Sequence, residues 1–228
     1  MAIIDLEEPK STVSTIEASN GTPFGFTGDI TREKTVEAFA KEVLESYQRV
    51  DVLGNNAGIR LIRAAEETTA AEYRRVMDVN RVAPFLLVRA FGRKMLEARS
   101  GAIANVASIA GLVAVADRAV YNAPKHGLVG RTQTLAAGGG RGVRVSAVCP
   151  RRVKTELDVA DQANGSYSDV HIMQRVPMGR FARPEGVTRA IAFLEDERES
   201  GFVNGATLTV DGGWSSDGSW ESLRLRTR

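Results

Sequence analysis

The sequence predicts an α/β fold built on a parallel β-sheet. Six short apolar segments of strand length recur, at residues 2–4, 23–26, 50–53, 102–107, 143–148 and 206–210. Helical patterns separate most of them, and this alternation is typical of parallel βαβ units. With 228 residues and no low-complexity segment, the chain has a suitable length for one domain, which we expect to span residues 1–228.

The spacing of apolar residues predicts the helices. The clearest helix lies at residues 31–47, where six apolar residues from Val36 onward recur at helical spacing and form one face that packs on the sheet. Further helical segments are expected at residues 7–18, 70–79, 84–98 and 118–137. Residues 151–183 interrupt this alternation, and a connection of that length is typical of a substrate-covering loop.

The composition excludes several classes of protein. A formal net charge of +2 with scattered Lys and Arg argues against a nucleic-acid partner. The sequence has neither an apolar stretch of about 18 residues nor a signal-peptide pattern, so we expect no membrane span and a cytoplasmic location. Cys149 is the single cysteine and excludes an internal disulfide; we expect it to be a buried strand residue. With two histidines, no metal-ligand spacing is found.

Four short motifs occur in order, and each is weak alone. They are NNAG at residues 55–58, DVN at 78–80, VASIAG at 106–111 and YNAPK at 121–125. A Tyr four residues before a Lys is common by chance and only places the two side chains on neighbouring helical turns. The joint order is more informative, because Ser108 ends a predicted strand and Tyr121 and Lys125 follow on the next predicted helix.

With these motifs, residues 2–214 resemble the short-chain dehydrogenase/reductase family of nicotinamide-dependent oxidoreductases. The resemblance implies a Rossmann-like, doubly wound parallel sheet in three α/β/α layers, without the first strand and helix. It also implies a catalytic tetrad of Asn80, Ser108, Tyr121 and Lys125. The implied reaction interconverts a secondary alcohol and a carbonyl compound by hydride transfer, with Tyr121 as acid and base.

The chemistry of this tetrad is consistent with the resemblance. Hydride transfer needs a group that moves a proton to or from the substrate oxygen. A phenol with a pKa of about 10 is a weak base, and the nearby Lys125 cation would lower that pKa. Ser108 can hydrogen-bond the substrate oxygen, and by resemblance Asn80 holds a water that connects Lys125 to solvent. The alternative is a set of purely structural roles: a surface lysine, a strand-end serine and a capping asparagine.

The resemblance further implies a set of cofactor-binding residues. They are Asp5, Asp29, Ile30, Asn56, Ala57, Gly58, Tyr121, Lys125, Pro150, Val153 and Thr155. An acid at the end of the second strand, here Asp5, hydrogen-bonds the adenosine ribose and repels a 2′-phosphate. We therefore expect NAD as the cofactor and NADP to be less suitable. The alternative for Asp5 is a solvated acid that ends a strand.

The sequence lacks the glycine-rich strand, turn and helix with which the family binds the pyrophosphate of the cofactor. In the family's strand order, the missing strand would lie between the predicted strands at residues 2–4 and 50–53. Its absence would leave backbone groups without partners. Either the natural protein is longer, which we favour, or the strand at residues 2–4 moves over to pair beside Val52.

Other departures from the family pattern concern cofactor affinity, stability and substrate. Arg151 replaces a glycine beside the nicotinamide, Gly54 interrupts a strand, and three glycines at residues 138–140 end a helix. Arg60 and Arg63 would suit an anionic or polyhydroxylated substrate if they faced the pocket; the alternative is that they are solvated surface residues.

Two functions of different class remain. The first is an NAD(P)-dependent oxidoreductase acting on a small-molecule alcohol or carbonyl substrate, and by resemblance a homotetramer or homodimer. The alternative is a catalytically silent or truncated relative that acts as a binding or assembly module, which the missing phosphate-binding turn favours. A serine hydrolase using Ser108 is a poor match, because no glycine precedes this serine as a nucleophile elbow requires. The tail at residues 215–228 has no functional interpretation.

Overall fold

The computed structural model describes residues 1–139, 142–154 and 168–219. Within these residues the strands are β1 (Ala2–Asp5), β2 (Phe24–Thr27), β3 (Val52–Asn55), β4 (Gly101–Val106), β5 (Val143–Pro150) and β6 (Thr207–Val210). The helices are α1 (Lys10–Ala18), α2 (Glu33–Tyr47), α3 (Ala70–Met77), α4 (Ala83–Ala98), α5 (Ala119–Gly138), α6 (Asp169–Arg175), α7 (Pro184–Glu195) and α8 (Glu197–Ser200). A π-helical turn, Asp78–Val82, joins α3 to α4. The predicted alternation of parallel strands and helices is therefore confirmed.

The strands form two parallel sheets rather than one. β1 pairs with β2, and β3, β4, β5 and β6 pair in that order. In the described part of the chain, β1 has no pairing with β3, so the alternative in which the first strand moves beside Val52 is wrong. The interruption lies where the family pattern has the strand that this sequence lacks. Val52, at the open edge of β3, is 42% exposed.

Hydrophobic packing joins the two sheets across this interruption. The apolar face expected in residues 31–47 is buried in α2 at Val36, Phe39, Ala40 and Val43. The Phe39 ring centroid lies 5.5 Å from that of Phe26 on β2 and 5.8 Å from that of Phe91 on α4, both in edge-to-face geometry. The same cluster continues into core side chains of β3, β4 and β5. Side-chain burial therefore connects the small sheet to the large one without a shared hydrogen-bond ladder.

The structure also bears on what the sequence predicts for Cys149, for membrane spans, for metal sites and for the number of domains. Cys149 lies in β5 with 0% of its surface exposed, as predicted. In the ranges that the structure describes, no helix is long and apolar enough to cross a membrane. The same ranges contain no group of three or more potential metal ligands. The assignment of residues 1–228 to one domain stays a prediction.

The interrupted sheet predicts unequal protection of its backbone amides. β4 and β5 pair on both sides, whereas β1 and β2 pair only with each other among the described residues. We expect amides of β1 to exchange with deuterium at least about ten-fold faster than those of β4, because strands with fewer partners open at lower free energy. Hydrogen–deuterium exchange followed by NMR measures this difference. Equal protection of β1 and β4 would contradict it.

Candidate active site

A pocket of about 210 Å³ lies where the carboxyl ends of β3, β4 and β5 meet the first turns of α5. We call it the Tyr121 pocket. Ligands bind at this edge in parallel α/β sheets. Of the residues expected to be catalytic or cofactor-binding, the structure places seven in its lining: Asn56, Gly58, Ser108, Tyr121, Lys125, Pro150 and Val153.

Tyr121 and Lys125 lie one turn apart in α5, as their spacing predicts. The Lys125 Nζ atom lies 5.7 Å from the centroid of the Tyr121 ring. It also donates a hydrogen bond of 2.8 Å to the Val106 carbonyl oxygen at the end of β4. Lys125 is only 4% exposed, so this bond fixes a buried ammonium group between the helix and the sheet.

Ser108 is held by the turn that follows β4. Its Oγ atom accepts a hydrogen bond of 3.1 Å from the Ala110 backbone N–H and caps the short 3₁₀ turn Ile109–Gly111. The turn packs closely on α5, because a Cβ atom at Gly111 would lie 2.7 Å from the Lys125 carbonyl oxygen. The glycine of VASIAG therefore allows the close approach that brings Ser108 to the pocket.

Asn80 lies directly behind the pocket, in the π-helical turn between α3 and α4. Such turns are frequent at functional sites. Its Nδ2 group donates to the Ile59 and Val76 carbonyl oxygens at 2.8 and 2.9 Å, while its buried Oδ1 atom accepts no hydrogen bond from the residues that the structure describes. A Cβ atom at Gly58 would lie 2.8 Å from Asn80 Oδ1 and 3.5 Å from Lys125 Nζ. The missing side chain of Gly58 thus leaves space beside both polar groups.

A buried hydrogen-bond network aligns the elements around the pocket. Asn55 Nδ2 on β3 donates to Asn105 Oδ1 on β4 at 2.8 Å, and Asn105 Nδ2 donates to Thr132 Oγ1 on α5 at 2.9 Å. The first asparagine of the NNAG motif therefore links β3 to β4. Sequence reasoning missed Asn105 and Thr132, because a lone strand Asn and a lone helical Thr carry no recognisable pattern.

The pKa values of the two central groups are perturbed by burial. Burial lowers the pKa of Lys125 from 10.5 to about 8. It raises the pKa of Tyr121, and this rise is opposed by hydrogen bonding with Ser108 and by the positive charges of Arg60 and Arg118. Sequence reasoning assigned the cationic influence on Tyr121 to Lys125. It missed the contribution of the two arginines.

The residues expected to contact adenosine lie outside the lining of the Tyr121 pocket. Asp5 ends β1 with an exposed carboxylate, whose Oδ1 atom accepts from the Glu7 N–H at 3.2 Å. The Asp29 carboxylate accepts from the Thr31 hydroxyl at 2.7 Å and from the Thr31 N–H at 2.9 Å, and these bonds together with the Arg75 cation 3.5 Å away lower its pKa.

Two further residues expected to bind the cofactor do not line the Tyr121 pocket. Ile30 is a core residue with 9% exposure. Ala57 is exposed between two lining residues, Asn56 and Gly58. Thr155 lies outside the described residues, as do residues 156–167 of the expected loop.

Filling the space at Gly58 tests the packing of the site. We expect Gly58→Ala to lower the free energy of unfolding by about 1–3 kcal/mol, because the new methyl group meets Asn80 Oδ1. The matched control is Gly130→Ala, where an added Cβ meets nothing within 4 Å and helix propensity favours alanine by up to about 1 kcal/mol. Urea unfolding measures both changes. Equal stability of the two variants would refute the close contact.

The buried lysine predicts a pH-dependent stability. Between about pH 8 and 10.5 the unfolded chain keeps the Lys125 proton that the folded chain releases, so stability rises with pH. This group contributes about 3 kcal/mol over that range. We expect the free energy of unfolding of the wild type, minus that of Lys125→Met, to increase accordingly in urea titrations. A difference that is independent of pH would show that folding does not lower the pKa of Lys125.

Comparison with known proteins identifies the family. A family model described as enoyl-(acyl carrier protein) reductase matches residues 1–215. A D-threitol dehydrogenase from Mycolicibacterium smegmatis is 36% identical over 218 residues, covering 94% of this chain and 83% of the relative. The 2-(S)-hydroxypropyl-CoM dehydrogenase 3 from Xanthobacter autotrophicus is 35% identical over 223 residues, covering 95% and 87%.

Structural comparison agrees with these relatives. A solved gluconate 5-dehydrogenase from Burkholderia cenocepacia, in complex with NADP and tartrate, is 27% identical with a TM-score of 0.88 and covers 95% of this chain and 85% of that chain. That protein binds NADP, so the expectation that NADP is less suitable than NAD is not supported. The family model and the relatives cover most of the chain and confirm the resemblance. The chain therefore belongs to the short-chain dehydrogenase/reductase family of NAD(P)-dependent oxidoreductases, which act on alcohols and carbonyl compounds.

Proposed function

We propose that this chain interconverts a secondary alcohol and a carbonyl compound, with Tyr121 as the acid and base. The observation that supports this is the convergence of Ser108, Tyr121 and Lys125 on one pocket, with Asn80 directly behind it. These are the residues that the motif order selected from the sequence. The name of the D-threitol dehydrogenase relative supports a small alcohol as substrate.

Each residue of the tetrad has a distinct role in this proposal. In the oxidation direction, the Tyr121 phenolate accepts the proton of the substrate hydroxyl, while the nicotinamide supplies the hydride acceptor when bound. Ser108 Oγ donates a hydrogen bond to the substrate oxygen as charge develops on it. Arg60 and Arg118 favour the phenolate over the phenol, and Lys125 provides an ammonium donor beside the phenol. Asn80 Oδ1, which accepts no hydrogen bond within the described part of the chain, holds a water next to Lys125.

The residues present fit the nicotinamide end of NAD(P) better than its phosphates. The space at Gly58, the Lys125 ammonium and the Tyr121 hydroxyl provide donors and room beside one another for a ribose and its ring. Asn56, Ala57, Pro150 and Val153 would contact the cofactor from the strand ends, and Asp29 and Ile30 would contact the adenine. For the pyrophosphate, the sequence offers no glycine-rich turn after a strand.

We further propose that Asp5 contacts the adenosine ribose. Its exposed carboxylate at the end of β1 supports this role. An acid at this point forms hydrogen bonds to the ribose hydroxyls.

A homodimer or homotetramer through α4 and α5 is part of the same proposal. Phe85 and Leu96, on α4, are 48% and 50% exposed, and large apolar side chains at the surface often mark an interface.

The second candidate is a silent relative that serves as a binding or assembly module. The observation that supports it is the interruption between β1 and β3 in the described part of the chain, which leaves β1 and Asp5 without a hydrogen-bond ladder to the strands that line the Tyr121 pocket. A chain that keeps the tetrad and loses nucleotide binding would belong to this class. The two candidates differ in whether the folded chain binds NAD(P).

Replacing Tyr121 tests the proposed reaction. We expect Tyr121→Phe to lower kcat for D-threitol or another secondary alcohol by about 10²- to 10⁴-fold, because the acid/base hydroxyl is removed. Calorimetric titration should show that this variant still binds NAD or NADP, with an affinity lowered by no more than about ten-fold, because it loses one hydrogen-bond partner of the ribose. The matched control is Tyr73→Phe on α3, a tyrosine that is 41% exposed. If the folded wild type binds neither nucleotide, the silent module is the correct interpretation. If kcat of the Tyr121→Phe variant lies within ten-fold of the wild-type value, Tyr121 is excluded as acid and base.

A further inference from the structure

Trp214 brings two arginine side chains from separate parts of the chain onto one indole ring. The guanidinium group of Arg151, which directly follows β5, lies 4.3 Å from the centroid of this ring. The guanidinium group of Arg175, the last residue of α6, lies 4.6 Å from the same centroid. An indole is the most favourable aromatic partner for a stacked guanidinium. Trp214 therefore connects the end of β5 to α6.

The turn that carries Trp214 is fixed by its own hydrogen bonds. The sequence VDGGW, residues 210–214, leads out of β6 into this turn. The Asp211 carboxylate accepts from the Gly213 and Ser215 N–H groups at 2.9 and 2.8 Å. The indole Nε1 atom is buried and has no hydrogen-bond partner among the residues that the structure describes. The backbone is therefore held by hydrogen bonds, whereas the ring is held by its stacking contacts.

Arg175 gives this ring a firm support. Its Nη1 and Nη2 groups donate to the carboxylate and to the carbonyl oxygen of Asp217, each at 3.3 Å. The segment after α6 is also joined to the turn, because the Met178 N–H donates to the Gly212 carbonyl oxygen at 3.2 Å. Trp214 is thus held against α6 by several contacts, and it offers its ring to Arg151 from a fixed position.

Arg151 lies in the lining of the Tyr121 pocket, together with three residues of the proposed tetrad. Its N–H donates to the Val210 carbonyl oxygen at 3.1 Å, which fixes its backbone beside the pocket. By resemblance a glycine is usual at this position beside the nicotinamide, so a long side chain is expected to crowd the site. The stack on Trp214 explains how this side chain can be present without filling the pocket.

We propose that Trp214 is a positioning residue, which stacks on Arg151 and thereby keeps the Tyr121 pocket open for the nicotinamide end of the cofactor. The identity of this ligand rests on the proposed function. In the described part of the chain Trp214 does not line the pocket, so it acts there through Arg151. An arginine that loses its stacking partner recovers rotamer freedom, and the adjacent pocket is within its reach. Arg151 has other interactions in the chain, and the proposal is that Trp214 decides its position.

Nucleotide binding tests this role by loss and rescue. We expect the affinity of Trp214→Ala for NAD or NADP to fall about ten-fold or more, because the released Arg151 side chain competes for the space. Shortening that side chain in the double variant Trp214→Ala/Arg151→Ala should restore the affinity to within about three-fold of the wild-type value. Isothermal titration measures each affinity. A double variant that binds as weakly as Trp214→Ala, or a Trp214→Ala variant that binds like the wild type, would overturn the proposal.

Two matched variants separate the stack from a general loss of an aromatic side chain. Trp214→Phe keeps a ring on which a guanidinium can stack, and we expect it to retain the wild-type affinity within about three-fold. Phe202→Ala removes a fully exposed ring, and its affinity should equal that of the wild type. Circular dichroism confirms that each variant is folded. A purely structural role of Trp214 would not be rescued by shortening Arg151, because the second change removes further contacts.

The position of Arg151 can be tested without any nucleotide. We expect a crystal structure of the full-length Trp214→Ala variant to show the Arg151 guanidinium displaced into the Tyr121 pocket. In the Phe202→Ala control it should remain at the wall. If the guanidinium also remains at the wall in Trp214→Ala, its other contacts decide its position and the proposal is wrong.

These experiments separate the inference from the proposed function. A wild type that binds neither nucleotide overturns the proposed function, whereas displacement of Arg151 in the Trp214→Ala crystal would still support Trp214 as the residue that keeps the pocket open. Nucleotide binding that is indifferent to Trp214 would overturn the positioning role and leave the oxidoreductase intact. In an active enzyme, we expect Trp214→Ala to raise KM for the nucleotide and to keep kcat within about three-fold, because the tetrad is unchanged.

Discussion

The hydrogen bond from the Lys125 ammonium to the Val106 carbonyl oxygen ties the start of α5 to the end of β4. A lysine that is only 4% exposed bears a large desolvation cost, so its partner and its surroundings are strongly constrained. The bond holds α5 at the height where Tyr121 reaches the strand ends. Gly111 is needed for the same packing, because the turn after β4 must pass within contact distance of the Lys125 backbone. The position of Ser108 relative to Tyr121 therefore depends on how this lysine is buried.

Polar side chains and aromatic rings stabilise different parts of the strand arrangement. Around the pocket, buried polar side chains specify the alignment, with Asn105 bridging Asn55 on the neighbouring strand and Thr132 on α5. Far from the pocket, across the interruption between β1 and β3, the connection is made by the rings of Phe26, Phe39 and Phe91. Hydrogen bonds are directional and the hydrophobic effect is not. The strands that end beside the tetrad are accordingly those that share a continuous hydrogen-bond ladder.

Much of this arrangement could be predicted from local patterns. Helical spacing placed Tyr121 and Lys125 on one side of α5, and the end of a predicted strand placed Ser108 beside them. The split sheet could only be suspected, because strand pairing depends on partners distant in sequence. Arg118 was not selected either, since a lone arginine before a helix has no signature until the fold brings it to Tyr121. The role of Gly58 likewise became visible only from its distance to Asn80 Oδ1.

The surroundings of Tyr121 act on its pKa in opposite directions. Burial raises the pKa of Tyr121, and hydrogen bonding with Ser108 and the charges of Arg60 and Arg118 oppose that rise. A protonated Tyr121 is the form that donates a proton to a carbonyl oxygen, whereas the phenolate is the form that accepts one from an alcohol. The balance between burial and these polar neighbours therefore decides which of the two forms is favoured in the pocket.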